Sequence, residues 1–438
     1  MVSRATTEHV TTNPWWWEAA PRQSGLDDSL PHCVDVAIVG SGYTGLSAAR
    51  TLAQAGLDVV VLESNALGEG ASSRNAGFVG RSLLGGFTQM AEKQGLERAV
   101  NLYRGAEEAY DFTIDLMESL DMRCHLMKRG RVLPVWNEEQ FNTTEKDFEL
   151  QRRHLKVEGQ MLSADELTQE LNAVDSYGAL LISNTAAVHP GLYHAELLAD
   201  AQKAGAHTCG GARVTGIRHD RTEKTLTTHR GTVRAKDVVV ATNAYTGGET
   251  AWIRRRLVRS SAFMAATEPL EPSLLNKLMP TQRTYVEYSR YMFNFWRPAP
   301  DANRLLFGGQ SGFLHKSNEQ IASRLQVDLA RVFPALAGTR FSHVWKGWVA
   351  FTMDRLPHLG FRNGVYFAVG CNGAGLPMGT YIGHKIALKL LGDKDATTPF
   401  DDLSFPLSPS VLGYPWFMPM MTAWARWQDK RGLPSSGH

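Results

Sequence analysis

The chain reads as an α/β protein. It combines a discontinuous Rossmann-like dinucleotide-binding domain with a second domain built on a mixed or antiparallel sheet. Three observations predict this. Residues 34–63, VDVAIVGSGYTGLSAARTLAQAGLDVVVLE, lay out strand, glycine turn, helix, strand and acid in succession. A second buried strand at 238–241 runs into a small-residue turn far along the chain, so the first sheet is rejoined there. Between 284 and 310, TYVEYSRYMFNFWRP and NRLLFGG alternate in the aromatic manner of antiparallel strands.

Within the first unit each element has a physical reason. Residues 36–39 are an apolar run too short for a helix and rich in β-branched side chains, which reads as a buried parallel strand. Gly40, Gly42 and Gly45 follow in the G-x-G-x-x-G pattern. The first makes the tight turn, the second lets a pyrophosphate approach the backbone, and the third lets helix and strand pack closely. Residues 46–55 carry helix formers with an apolar stripe, Gly56 closes the helix, and residues 59–62 form the next strand. The helix N-terminus offers free N–H groups to phosphates. Glu63, at the strand end, is placed to accept hydrogen bonds from a ribose 2′-OH. The unit binds ADP joined to something, with NAD and FAD both open.

Composition sets bounds on the rest. At 438 residues the chain has room for two domains, and a net charge of +2 with 21% charged residues gives no reason to expect a nucleic acid. Cys33, Cys124, Cys209 and Cys371 stand far apart without a C-x-x-C, which points to a reducing compartment. The histidines show no metal-ligand spacing, so no metal is expected. No apolar run approaches a membrane span and the N-terminus lacks a signal-peptide core. A cytoplasmic protein is expected.

In chain order, residues 1–33 form an irregular arm whose Trp15, Trp16 and Trp17 are expected to pin it to the domain. The loop SNALGEGASSRNAGFVGRS, residues 64–82, can bring several backbone N–H groups and Arg74 to a cofactor. Residues 87–156 are helical and charged, RGRVLPVW is a strand, and Ser163 with Glu166 forms a capping box. Pro190 opens a helix ending near Gly205, residues 212–218 are a strand, and a hairpin leads into 238–241. LQVDLARVFPAL is an amphipathic helix. Residues 366–369 are a strand, GCNGAGLPMG is a glycine loop, and a helix follows from Thr380. The cofactor-binding domain is therefore assigned to 34–90, 185–259 and 341–400, and the substrate domain to 91–184 and 260–340. Residues 401–438 form a tail whose PWFMPMMTAWARW segment reads as a docked C-terminal helix rather than a membrane contact.

Taken together these parts resemble the FAD-dependent D-amino-acid oxidase/glycine oxidase/sarcosine oxidase superfamily over roughly residues 34–392. The resemblance rests on the glycine motif with Glu63, ASSRNAG, VVVATNAYTG, LLFGG, GCNGAG and the W-x-G…T-x-D-x-x-P run of Trp345, Gly347, Thr352, Asp354 and Pro357. The SSRNAG loop, the aromatic arm and the Trp-rich tail resemble the gamma-glutamylputrescine oxidoreductase-like branch. The resemblance implies an FAD-binding domain in which Gly40, Gly42, Tyr43, Thr44, Gly45, Glu63 and Ser64 hold the ADP half. Ser72, Ser73, Arg74, Asn75, Ala76 and Gly77 would lie along pyrophosphate and flavin, and Val214 would face the adenine. Ala241 and Thr242 would lie by the pyrophosphate; Gly347, Gly373, Gly375, Leu376, Pro377 and Met378 would lie by the flavin.

Relatives with covalent flavin use a His or Cys where this chain has Asn75 and Gly347, so FAD is expected to be non-covalent. Leu306 stands where oxygen-activating relatives carry a Lys, which leaves oxygen or another acceptor, such as a quinone, open. The implied activity is oxidation of an amine C–N bond by hydride transfer to flavin N5, giving an imine that hydrolyses to an aldehyde or keto product. The implied partner is a small-molecule amine: a secondary amine, an N-alkyl amino acid or a gamma-glutamyl amine. Arg81, Trp345 and Phe351 are candidates to touch it; no catalytic side chain and no oligomeric state is assigned. Asp354 is read as fixing a turn and His358 as structural. A nicotinamide dehydrogenase explains the later glycine loop poorly, and a non-catalytic flavoprotein is the other rival.

Overall fold

The computed structural model describes residues 10–430 except 27, 174–175, 221, 288–292, 311–316, 402 and 411–414. Parts of two expected aromatic strands, at 288–292 and 311–313, lie outside the described residues.

The first sheet runs in the order His358–Arg362, Val365–Val369, Gly231–Val240, Cys33–Val39, Val59–Leu62, His207–Cys209. Its neighbours are parallel except for the antiparallel outer pair 358–362 with 365–369. The strands Lys224–Thr228 and Val214–His219 extend Gly231–Val240 as an antiparallel flap. Both faces of the parallel part are covered, which is why its strands are continuously apolar. Val36, Ile38, Val59 and Val61 enter one core with the helices Tyr43–Gln54 and Gly375–Leu391. Ala37, Val39, Val60 and Leu62 enter the other with Val238 and Val240. The period of two in a strand sorts these side chains to opposite faces.

The second sheet is ordered Phe341–Phe351, Val258–Thr267, Leu305–Gln310, Asn294–Pro298, Thr284–Val286, Arg131–Val135, Gly178–Ile182, Gly159–Ser163. Its pairs are antiparallel except Thr284–Val286 with Arg131–Val135. On one face Tyr285, Trp296 and Phe307 stack in series, with ring centroids 5.8 and 5.9 Å apart. The helix Asn318–Val332 packs over them, started by a Ser317–Gln320 capping box. Phe295, next to Trp296, faces the opposite way, and with Met264 and Trp345 of the same sheet it lines a cavity. The Ser163–Glu166 capping box also forms.

Two expectations need correction. The last helix begins at Gly375, not at Thr380. Proline is tolerated in a first helical turn, where its missing N–H has no intrahelical partner to lose, so Pro377 did not mark a loop. The strand Phe341–Phe351 pairs with Val258–Thr267, so it joins the second sheet rather than the cofactor-binding sheet to which 341–400 was assigned. In the tail, Met418–Lys430 is a helix, and among the described residues no helix is long and apolar enough to cross a membrane.

Gly45 shows how tightly the first unit is packed. A Cβ there would stand 1.9 Å from the Gly40 carbonyl oxygen. Gly45→Ala is expected to lower the thermal midpoint by about 2–12 °C, the shift that overpacking of about 1–3 kcal/mol gives at about 2–4 °C per kcal/mol. Gly216→Ala, with open space around its Cβ, is the control. Differential scanning fluorimetry of both variants checks this; equal midpoints would remove the packing argument.

Candidate cofactor and substrate site

A cavity of about 1100 Å³ runs from the carboxyl ends of the parallel strands onto the inner face of the second sheet. At its first end lie Gly40, Gly42, Glu63, Val214, Ala241 and Thr242. The Glu63 carboxylate is oriented before any ligand arrives. Its Oε2 accepts from the Ser41 N–H at 3.0 Å and the Ser41 hydroxyl at 2.7 Å, and its Oε1 accepts from Ser64 N–H at 2.7 Å. Oε1 also accepts from the Ser64 hydroxyl at 2.9 Å, so both oxygens are held by protein donors. Ser41 is a hub that sequence reading missed, because only the glycines around it were weighed. Its Oγ accepts from Gly68 N–H at 2.8 Å, and its carbonyl meets His194 Nε2 at 2.8 Å.

Two helix N-termini open onto the cavity, those of Tyr43–Gln54 and Gly375–Leu391. Their N-caps, Gly42 and Ala374, make no side-chain cap. Such ends carry partial positive charge and suit a pyrophosphate or an electron-rich ring. Gly373 and Gly375 have open space where a Cβ would stand, so side chains there would fill volume that the cavity keeps clear.

The loop at 72–77 is held from behind, residue by residue. Trp17 Nε1 donates to Ser73 Oγ at 2.9 Å, Trp345 Nε1 to the Arg74 carbonyl at 2.8 Å, and Trp16 Nε1 to the Asn75 carbonyl at 2.9 Å. Arg297 Nη1 donates to the Ala76 carbonyl at 3.3 Å, and Val188 N–H donates to the Gly77 carbonyl at 2.8 Å. Asn75 ties the loop to itself, donating to the Ala71 and Ser72 carbonyls and accepting from Gly77 N–H. The Arg74 guanidinium lies over the Trp17 ring, 4.5 Å from its centroid. The tryptophan arm therefore reaches past the domain surface to the cofactor loop itself.

Most residues carried over from the resemblance line this cavity, including Tyr43, Thr44, Ser64, Ser72, Arg74, Asn75, Ala76, Gly347 and Leu376. Gly45, Ser73, Gly77, Pro377 and Met378 stand behind the lining. Trp345 and Phe351 are on the wall. Arg81 is not: its guanidinium stands 3.8 and 3.6 Å from Glu107 and Asp111 and lies over the Tyr110 ring. Nearness in sequence to the loop suggested a ligand, but the chain turns that side chain into an ion-pair cluster. Instead Arg131, Met264, Phe293, Phe295, Tyr245 and Trp348 line the cavity. The period-two alternation of their strands was the signal available for several of them. Asp354 Oδ1 accepts from Leu356 N–H at 3.2 Å and pairs with His358, itself stacked on Phe405, so both serve a turn.

Burial keeps Cys371 and His194 neutral. Cys371 is on the wall, but burial pushes its thiol up to about 12, so it offers no thiolate for a covalent link. Burial, followed by the neighbouring Arg22 charge, lowers His194 to about 4. A histidine whose folded pKa lies below its unfolded value contributes stability above the unfolded pKa and loses it as pH falls through the folded one. The window here is therefore from about 6.5 down to about 4. Thermal midpoints measured across it should fall with pH, and less steeply in His194→Gln; an unchanged slope would remove His194 from the account.

Comparison with known proteins agrees with this geometry. The model of the family DAO, FAD dependent oxidoreductase, matches residues 35–388. The chain is 30% identical over 435 residues to gamma-glutamylputrescine oxidoreductase of Escherichia coli (strain K12), covering 98% of this chain and 100% of that protein. It is 27% identical over 388 residues to the probable oxidoreductase OrdL of Haemophilus influenzae (strain ATCC 51907 / DSM 11121 / KW20 / Rd), covering 86% and 87%. The crystal structure of glycine oxidase from Geobacillus kaustophilus superposes with a TM-score of 0.72 at 23% identity, covering 87% of this chain and all of that one. FAD is the cofactor, held without a covalent bond, and the chain is an enzyme of the DAO family of FAD-dependent oxidoreductases.

Proposed function

We propose that the chain oxidises the C–N bond of an amine: a secondary amine, an N-alkyl amino acid or a gamma-glutamyl amine. Similarity along its whole length to gamma-glutamylputrescine oxidoreductase supports an amine donor. The observation that carries the reading is the character of the wall beside the flavin loop. Met264, Phe293, Phe295, Trp345 and Phe351 make it apolar and aromatic, and no histidine is among the described lining residues.

Bound FAD supplies a two-electron acceptor for a hydride leaving the carbon next to the amine nitrogen. The wall's task is to favour the amine over the ammonium, because only the neutral nitrogen has a lone pair for the developing C=N bond. Desolvation by aromatic side chains does this without a side-chain base. The imine product then hydrolyses to an aldehyde or keto compound. The N-terminus of Gly375–Leu391 directs its positive end at the cavity, where it favours the extra negative charge of the reduced cofactor.

The acceptor of the electrons is oxygen or a non-oxygen acceptor such as a quinone. Leu306 favours the second. It is fully buried behind the wall with Trp16 and Trp345, so no cation stands on that strand position to attract oxygen's reduced forms.

Anaerobic mixing of the yellow enzyme with a panel of amines tests the reading. The flavin should bleach with at least one class of extended or secondary amine, at a rate rising about tenfold per pH unit below the bound amine's pKa and then levelling. A pH-independent rate would point to an ammonium-tolerant mechanism with a side-chain base, and bleaching by no amine would exclude the reaction. Reoxidation compared in oxygen and in a soluble quinone assigns the acceptor: reoxidation at least tenfold faster with quinone is expected.

Phe295→Asp is expected to raise the pH at which the rate levels. A carboxylate on the wall stabilises the ammonium form, so more alkaline pH is needed to free the lone pair. Stopped-flow reduction across pH 6–10 reads this directly.

A further inference from the structure

The cavity continues past the residues expected to touch the cofactor. There it is walled by three helices, Phe87–Gln94, Leu96–Ser119 and Glu138–His154, through Thr88, Tyr103 and Asp147. Tyr103 is only 2% exposed, and its ring stands edge-on to Phe87 at a centroid distance of 5.0 Å. Among the described residues its hydroxyl meets no hydrogen-bond partner. A hydroxyl enclosed by the fold and left unmet is costly, and one on a cavity wall can be met by a ligand. Burial, followed by the nearby Asp147 carboxylate, holds this phenol well above its ordinary pKa, so it stays an O–H donor.

Asp147 supplies the complementary acceptor. Its Oδ1 accepts from Thr88 N–H at 2.6 Å and its Oδ2 from Gln151 Nε2 at 2.6 Å. Those bonds fix the carboxylate at the start of the helix Phe87–Gln94 and leave a lone-pair direction on each oxygen. The strand Arg131–Val135 leads into Glu138–His154. The charged lining residues of that strand and the three helices are Glu92, Asp147, Arg131 and Lys146. Two carboxylates against two cations select neither an ammonium nor a carboxylate by charge. One fixed donor beside one fixed acceptor instead suits a neutral amide, whose C=O accepts from Tyr103 O–H while its N–H donates to Asp147.

The helix that carries Tyr103 also touches the cofactor end. Its Thr113 Oγ1 donates to the Pro377 carbonyl at 3.3 Å, in the first turn of Gly375–Leu391. Tyr103 is ten residues earlier, about 15 Å back along the axis at the rise of an α-helix. This end of the cavity therefore lies away from the helix start expected to face the flavin. We infer that Tyr103 and Asp147 bind an amide of the substrate, set back from the C–N bond that is oxidised. The inference rests on the amine-oxidising reading above and deepens it. Of the three amine classes named there, a gamma-glutamyl amine is the one that carries such an amide. Tyr103 and Asp147 then determine specificity and take no part in the redox step.

The test is a binding measurement that needs no turnover. N-alkylacetamides and alkyl acetates of matched length, neither carrying an amine to oxidise, are titrated calorimetrically into the FAD-loaded enzyme. The ester keeps the C=O and the shape but lacks the N–H. At one chain length or more the amide should bind at least about tenfold more tightly, because a site built to hydrogen-bond a group rejects the analogue without it. Asp147→Asn keeps an oxygen for Thr88 N–H and should remove the preference. Tyr103→Phe should weaken amide and ester alike, since both lose the O–H donated to their C=O. Equal affinities at every length, a preference that survives Asp147→Asn, or amide binding unchanged in Tyr103→Phe would overturn the assignment. The ligand-free thermal midpoint of Tyr103→Phe should not fall, because the hydroxyl it removes has no protein partner; a fall would show a structural bond and also overturn it. If Asp147→Asn loses flavin, the wild-type amide–ester comparison and Tyr103→Phe decide the matter. Amide preference without bleaching by any amine would count against the oxidation and leave the subsite standing.

Discussion

The structure depends on holding one short loop with its back satisfied and its front free. Arg74, Asn75 and Ala76 line the cavity, so the polar groups of residues 73–77 that turn away from it must be met from the other side. A buried polar group left without a partner costs about 1–3 kcal/mol, and this stretch would carry several. The chain answers with three indole N–H groups, one guanidinium and one backbone N–H, drawn from the N-terminal arm, the second sheet and the segment before the helix Pro190–Lys203. Tryptophan suits the task. It is a donor only, it brings a large apolar body that excludes water, and it loses little rotamer freedom for the area it buries.

Arg297 shows what that choice costs. It is fully enclosed, and burial lowers its pKa to about 9, which still leaves it protonated at neutral pH. Its Nη1 donates to the Ala76 and Val188 carbonyls, so one cation ties the loop to the segment before the helix Pro190–Lys203. Buried charges normally need a partner of opposite sign. Here backbone carbonyls share that role, and the result is a positive charge retained behind a loop that faces an electron-accepting cofactor. An apolar residue of the same size would avoid the desolvation cost but leave both carbonyls unmet.

The parts legible in sequence were those set by local rules. A buried strand, three spaced glycines and an acid define the first unit because each follows from backbone sterics within about thirty residues. The capping box of Ser163 with Glu166 is equally local, since the two are three residues apart. The Arg81 and Arg131 pair shows where legibility ends. Arg81 adjoins the cofactor loop in sequence, yet its side chain turns to Glu107 and Asp111. Arg131 is fifty residues further on and reaches the cavity because Arg131–Val135 pairs with Thr284–Val286, a register that no local pattern encodes. Pro377 misled for a related reason: the same residue stops one helix and opens another, and only the position of the first turn distinguishes them.

The two sheets therefore divide the work along a physical line. The parallel sheet is covered on both faces, so its useful groups are confined to strand ends, where backbone N–H groups and helix termini suit phosphates and a flat ring. The second sheet leaves one face open. On that face each strand offers every other side chain to the cavity, and one step across the sheet moves the contact by about 5 Å. Met264, Phe295 and Arg131 line the cavity and take no part in the hydrogen bonds that hold residues 73–77. A fold organised this way can keep its cofactor and vary its substrate, because the two are held by different kinds of surface.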